Sequence, residues 1–544
     1  MASERHYERM ANFSQGMNSY LYPAELLPNQ SQLLSNMVVL DNGRAVTRAG
    51  ADQLDSNPST FSNVTPSGSV QGMGFLDNFT NGTFLLVAEG GNLYTWNNVQ
   101  WSNALAFTLT SPDSPFVAVQ GVDQLLISDG TKQMQLWDGV SFTACGVAAN
   151  TNAPIGATSL AFIAGMYVAA GPAMIAGGGS TVYPPDTLFF SNYLDATAGH
   201  WNITQSFRVG NGDGEPIVGL AVIQSTASTS PVYNLAVLKT NSIWIVGVQP
   251  GTTSAEFAAF FASFATSPQG DQVGSGIGCV GKDAFCLYQN DLLFMSQDGV
   301  QSLQRMQAAA GQYQLTSPLS LPIQPYIDRI NWSAASGIQA VKYKQLAIFF
   351  VPLDGSTVNN YGLVWNGHIG QWMIWTGWTP QSAIVTRFNN IVELVLGNSD
   401  GSVNKWKDAQ NLVGLDATYT DNGSPIVWSG KTRSFIFGSL DFQKKAREVL
   451  FRFNSGNATV QFNAFLDLAD SDTWSQPVEP GGAVLPVILP FVLASAKPTE
   501  CYRRLEGLPY FSELYITFGS NAGWADCRGL VVSAFQKPLV DPTA

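Results

Sequence analysis

The residues of this 544-residue chain best suited to chemistry are three histidines (His6, His200, His368), five cysteines (Cys145, Cys279, Cys286, Cys501, Cys527) and several acidic, glycine-rich turns. No His-Glu-x-x-His helix accompanies the histidines, which argues against a metalloprotease centre. A Ser-His-Asp hydrolase has only His200 and His368 to draw on, since His6 falls in a terminus expected to be mobile. The cysteines are odd in number and scattered, without the CxxC pairs of a zinc site, and read as buried free thiols of a reducing cytoplasm. Glycosidases need a pair of carboxylates. Ser296-Gln-Asp298-Gly299 and Asn398-Ser-Asp400-Gly401 resemble the Asp-box turn of sialidases, but both lack the residue that separates Asp from Gly there, and they read more simply as hairpin turns. Gly210-Asn-Gly212-Asp-Gly214 could cradle a phosphate, yet Glu215-Pro216 and a strand follow where a helix N-terminus would be required. The same turn lacks the ligand spacing of an EF-hand. Lys431, Arg433, Lys444, Lys445 and Arg447 form the one basic concentration, suited to a phosphate backbone, to an acidic partner or to a solvated strand edge. No catalytic, cofactor-binding or metal residue is assigned, and no cofactor is expected.

The elements that position these residues follow from composition. Charged residues make up 12% of the chain, about half the roughly 25% usual for soluble proteins. Hydrophobic residues make up 45% and aromatics 12%, so the chain folds, and 52 glycines with abundant Asn, Ser and Thr favour turns over long helices. A net charge of −13 argues against a duplex-binding surface. The first ten residues hold two Glu and two Arg where a signal peptide carries an apolar run. No apolar stretch approaches the roughly 18 residues of a membrane helix.

One pattern recurs from about 84 to 407: an apolar strand, a turn with Gly or Asn, and a second strand ending in an aromatic. Its copies begin near 84, 124, 166, 235, 291, 345 and 392. Asp-Gly and Asn-Gly tolerate the positive φ of two-residue hairpins, and the spacing of 40 to 70 residues suits four-stranded blades. The expectation is an all-β protein: a six- or seven-bladed β-propeller over 67–425, an N-terminal arm over 1–66 with a short helix from Asn29 to Met37, and a separate C-terminal β-sandwich-like domain over 426–544. A second short helix is expected at Pro322 to Ile330. Trp96, Trp137, Trp244, Trp372, Trp375 and Trp406 should fill the wedges between blades, and the loops 171–185 and 252–278 are longer and more polar than a blade turn requires.

The N-terminal string Asn12-Phe-Ser-Gln-Gly-Met-Asn18, then Pro23, Leu26-Leu-Pro-Asn-Gln30, Leu34-Ser-Asn36 and Asp41-Asn-Gly43 through Arg48-Ala-Gly50, resembles the opening of bacteriophage tail proteins. It is similar to the propeller-bearing nozzle, or tail tubular protein B, of short-tailed phages and to related packaged-DNA stabilisation proteins. The likeness continues in Phe190-Ser-Asn192 with Trp201, Lys239 to Ile245, Phe294 to Gly299, Asn404-Lys-Trp406, Gly423 to Ile426 and Phe435 to Gly438, and is loose beyond Asp441. The resemblance implies a non-enzymatic virion protein, assembled in the host cytoplasm. Six copies would form a ring at the end of a short tail and extend the channel through which genomic DNA leaves. On this resemblance the long loops 171–185 and 252–278 would meet neighbouring subunits or narrow the channel. Its neighbours would be a tail adaptor or portal-proximal protein and tail fibres or a tip protein. An acidic lumen would let DNA pass without holding it. The alternative is a carbohydrate- or receptor-binding propeller of the tail; a glycosidase is a third class.

Overall fold

The computed structural model describes residues 5–536 except 55–67, 103–104, 147–152, 177–180, 211, 225–232, 249–255, 257–258, 263–269, 311–316, 408–418, 439, 456–458, 468–473, 479–498 and 506–507. Apolar runs separated by Gly and Asn turns become antiparallel strands almost throughout, so the chain is nearly all-β. Seven meandering sheets follow one another among the described residues. Their first strands are Val70–Asn78, Val117–Gln120, Ser159–Ile163, Ile217–Gln224, Phe285–Tyr288, Gln339–Tyr343 and Pro380–Phe388. Each first strand touches the next in chain order, and that of the seventh sheet touches that of the first. The hairpins read from the sequence are present. Glu89 and Asn92, for instance, are joined by Gly90-Gly91, both at positive φ (55° and 83°), as a two-residue turn requires.

The seventh sheet takes its fourth strand from the other end of the chain: Ala51–Gln53 pairs with Val403–Trp406. Indole rings fill the seam beside it. Trp375 and Trp406 lie 4.9 Å apart edge-on, Tyr343 packs on Trp406 at 5.2 Å, and the two indole N–H groups donate to the carbonyls of Met37 and Ala49.

The expected helix at 29–37 is strand instead. Ser31–Ser35 lies between Gln371–Thr376 and Trp428–Thr432, parallel to the first and antiparallel to the second, and Met37–Val39 pairs with Ala45–Thr47. Leu33, Leu34 and Met37 give a helical stripe only in isolation; two sheet edges that need ladder partners outweigh a weak local preference. The second helix is present as short turns at Leu321–Ile323 and Gln324–Ile327.

Pairing also runs across both expected domain boundaries. Through Ser31–Ser35 the sixth sheet continues into Trp428–Thr432, Leu514–Ser520, Val460–Leu466 and Trp474–Val478, nine strands in all. A six-stranded sheet built on Lys444–Ser455 and Ala525–Gln536 packs against it, with Phe451 and Phe453 on Phe462 (3.7 and 5.6 Å between ring centres) and Phe13 on Phe518 (5.7 Å). The C-terminal part is thus two facing sheets, and it shares a sheet and a continuous hydrophobic core with the sixth sheet. The arm is woven in: Arg5–Met10 pairs with Ala525–Gln536, and His6, expected in a mobile terminus, stands opposite Ala534. Of the two long loops, the described part of 171–185 is a hairpin of Ile175–Ala176 with Thr181–Val182, and 271–275 is the fourth strand of the fourth sheet; most of 252–270 lies outside the described residues.

Gly50, next to the strand Ala51–Gln53, is tightly enclosed, because a Cβ there would stand 1.9 Å from the Thr420 carbonyl oxygen. Gly50→Ala is expected to cost about 1–3 kcal/mol in urea denaturation, whereas Gly247→Ala, with open space around it, should stay within about 0.5 kcal/mol of the parent.

Candidate functional site

Two regions are built for more than packing. The first lies where the seven first strands converge. A cavity of about 190 Å³ at one end is lined by Gly72, Ser159, Gln339 and Ser382, and one of about 480 Å³ by Gln120, Phe162, Leu287 and Val385. Lys282 stands in the smaller one: its ammonium donates to the Phe116 carbonyl (3.1 Å) and to Asp283 (2.5 Å), which also accepts from Gln339 (3.3 Å). The bridge ties the entry of the fifth sheet to that of the second. With Lys342 in the larger cavity, these are the only charged side chains lining either space.

The second region is a polar cavity of about 510 Å³ among the arm, the connection from sixth to seventh sheet, the turn 399–402, and Asp421 to Val427. Arg48, fully buried, forms its floor. Its guanidinium donates to Asn36 Oδ1 (3.0 Å), the carbonyls of Ala49 (3.0 Å) and Thr376 (2.8 Å), and both carboxylate oxygens of Asp421 (3.0 and 2.6 Å). All five N–H groups are therefore used. The Trp378 ring lies 3.9 Å from the guanidinium carbon, a cation–π contact in a dry setting. Asn36 Nδ2 donates in turn to Thr376 Oγ1 and the Val427 carbonyl. Asn398 and Trp378, both more than nine-tenths buried, line the same space, and Asn398 Oδ1 and Trp378 Nε1 have no partner.

The residues singled out from sequence fare unevenly. Both Asp-Gly motifs are hairpin turns: Ser296 pairs with Gly299, and Asp400 accepts from Ser402. Gly397-Asn-Ser399-Asp-Gly401 also has the glycine spacing of a nucleophile elbow, a signal passed over in the sequence. The chain there joins strand to strand rather than strand to helix, and the Ser399 hydroxyl donates to Thr379 Oγ1 (2.9 Å). In the loop 210–215, Asp213 takes both oxygens to the buried Lys239 (2.7 and 2.9 Å), and Glu215 accepts from Thr240 and Ser242. Those carboxylates anchor strands. His200 stands 3.2 Å from Asp195 and His368 3.2 Å from Asp41, two exposed and separate pairs.

The basic concentration is dispersed by folding. Arg433 pairs with Glu8 (2.8 Å), Lys431 lies on the Tyr515 ring (4.0 Å), and the buried Lys444 ammonium donates to the Ser512 carbonyl (2.9 Å). Burial lowers the pKa of Lys444 against the pull of Glu8 and Asp467. Cys145, Cys279, Cys286 and Cys527 are free and buried, and burial pushes the thiols of Cys279 and Cys286 up to about 12. The Cys501 side chain lies outside the described residues. Among the described residues, no group of three or more His, Cys, Asp or Glu is gathered as a metal site would be.

No family model matches the chain and no curated protein matches it. Several solved structures are similar to it at low identity. BBS1N in complex with ARL6DN is 11% identical, over 68% of this chain and 100% of that one, with a TM-score of 0.38. BamB from Moraxella catarrhalis is 12% identical, over 69% and 96%, with a TM-score of 0.34. The WD40 β-propeller domain of Doa1 is 9% identical, over 67% and 100%, with a TM-score of 0.36.

Removing the Asp421 carboxylate would leave Arg48 buried with an uncompensated charge. Asp421→Asn is therefore expected to lower stability by about 3–5 kcal/mol, read from the denaturant midpoint at constant m, while Asp400→Asn, on the exposed turn, stays within about 0.5 kcal/mol.

Proposed function

We propose that the chain is a structural virion protein: a closed, seven-bladed β-propeller with an attached β-sandwich, six copies of which form the nozzle ring of a short phage tail. One observation carries this reading. The residues of the N-terminal string that resembles the tail proteins are the ones that lock the fold together. Gly16 lies against Gln371, Gly43 against Asn12, and Asn36 and Arg48 hold the seventh sheet and the segment after it. A string that does this is an architectural signature, and it fits a protein whose work is to be a rigid ring segment between an adaptor on one side and fibres or a tip protein on the other.

The propeller's own axis is not the conduit in this reading. Lys282 reaches from the fifth sheet to the second where the first strands converge, and the spaces there, about 190 and 480 Å³, are far too small for a duplex. The genome would pass between copies, along surfaces of a chain with a net charge of −13, so that phosphates are repelled rather than held.

The second reading, a carbohydrate-binding tail protein, is favoured by the polar cavity over Arg48. Its asparagines, hydroxyls and unpartnered Asn398 Oδ1 and Trp378 Nε1 suit a neutral hydroxylated ligand.

Native mass spectrometry with negative-stain imaging tests the first reading: it expects a ring of six times the chain mass, and a strictly monomeric chain at every concentration would overturn it. Glycan-array screening tests the second, with binding lost in Asn398→Ala; an array without a hit removes it.

A further inference from the structure

In a four-stranded meander the turns after the first and third strands lie at the same end. Between residues 67 and 407, every exposed large apolar side chain among the described residues except Val182 and Leu287 stands at that end of a sheet. Phe79, 96% exposed, tips the first turn of the first sheet, and Val99, 76% exposed, the turn after its third strand. Val122 (58%) and Val140 (74%) hold the same places in the second sheet. Tyr193 and Leu194 follow in the third, and Ile391 precedes them in the seventh. The turns at the opposite end, Gly90-Gly91, Thr240-Asn241, Gln297-Asp298 and 399–402, expose none.

These tips form one surface because the turns are tied to one another. Asn78 donates to the Asp123 carbonyl (2.7 Å), the Phe79 amide to the Asp123 carboxylate (3.4 Å), and Asn81 to the Asp138 carbonyl (2.9 Å). Tyr167 reaches the Gln124 carbonyl (3.2 Å), and the Leu194 amide bonds to Gly165 (2.7 Å). On the other flank Phe388 packs edge-on against Phe75 at 5.5 Å. Nothing in the fold requires valine or phenylalanine at such tips, and solvent disfavours them.

Charge at the turns of the first three sheets has one sign, whereas the seventh sheet places the exposed Arg387 at the register position that Asp77 holds in the first. The turns 77–81, 97–100, 121–124, 138–141 and 192–195 carry Asp77, Asp123, Asp138 and Asp195 and no Lys or Arg. Burial works against the charge on Asp138, but the amides of Ser141 and Val140 outweigh it and hold the carboxyl below its ordinary range. A second copy of this chain is a poor complement, because it carries a net charge of −13 and several of its cations pair internally: Arg44 to Asp526, Arg208 to Asp186, Arg329 to Asp354, Lys405 to Glu393.

We propose that the end of the first, second and third sheets bearing Phe79, Val122 and Val140 is a docking surface for a protein whose contact face is apolar and rimmed by lysine or arginine. The inference stands apart from the ring reading, since it rests on exposure and charge alone.

The test uses the full chain and two designed amphipathic helices, one of leucine and lysine and one of leucine and glutamate, by fluorescence anisotropy at low and high salt. The leucine–lysine helix should bind saturably, more weakly at high salt, and lose about tenfold in affinity both in the Phe79→Ser/Val140→Ser variant and in Asp123→Asn/Asp138→Asn. Equal binding of the two helices, or unchanged binding in both variants, overturns the proposal. So does sedimentation showing self-association of the parent that vanishes in Phe79→Ser/Val140→Ser, which would assign the surface to a second copy. Flotation with neutral phosphatidylcholine vesicles that is lost in that variant would assign it to lipid and overturn the proposal equally.

Discussion

Arg48 is the constraint on which the rest of the architecture turns. A guanidinium without access to water must find a partner for each of its five N–H groups or destabilise whatever encloses it. Here the partners come from three distant stretches: Asn36 and Ala49 in the arm, Thr376 at the end of the sixth sheet, and Asp421 after the seventh. The network can close only when all three have arrived. Buried ion pairs add little net stability over apolar packing of equal volume, so the consequence lies in specificity: mispaired arrangements leave donors orphaned and a charge uncompensated.

That requirement explains why the N-terminal fifty residues do not behave as an arm. Ser31–Ser35 extends the sixth sheet, Ala51–Gln53 completes the seventh, and Arg48 sits between them. The strand that completes the seventh sheet and the strand that links the sixth to the C-terminal sheets thus flank one buried side chain. Contacts between residues more than three hundred positions apart, such as Trp375 with Met37 and Trp406 with Ala49, carry the coupling into the core. Sheets whose last partner arrives from the far end of the chain gain closure at the cost of slow, non-local pairing.

Local order was legible in the sequence and long-range order was not. The hairpins at 84–96, 291–303 and 392–406 follow from apolar runs and Gly or Asn turns, which act over a few residues, and the strands near 449, 460 and 514 follow from alternation. The segment 29–37 misled because its partners are strands centred near 374 and 430, and no local pattern encodes them. The pairing that runs across the expected domain boundaries is hidden from the sequence for the same reason. Among candidate site residues, Asp213 and Lys444 are conspicuous in the sequence only by charge, and the fold spends both on anchoring neighbouring strands. Arg48 and Asn36 carried a resemblance, but their chemical role needed Asp421, far away in the chain, to become visible.

The distribution of charge then follows from the same economy. With charged residues at 12% of the chain, several cations are drawn into pairs that hold strands, as Lys239 with Asp213 and Arg433 with Glu8 show. The excess carboxylates are left for surfaces, where the Asx turn of Asp138 holds its carboxyl below the ordinary range through the amides of Val140 and Ser141 rather than through a cation. A surface made this way is acidic without being solvated by salt bridges, and it is at turn tips that Phe79, Val122 and Val140 meet solvent. Turn chemistry thus sets Asp123 and Asp138 beside apolar tips, where a complementary face would have to carry positive charge.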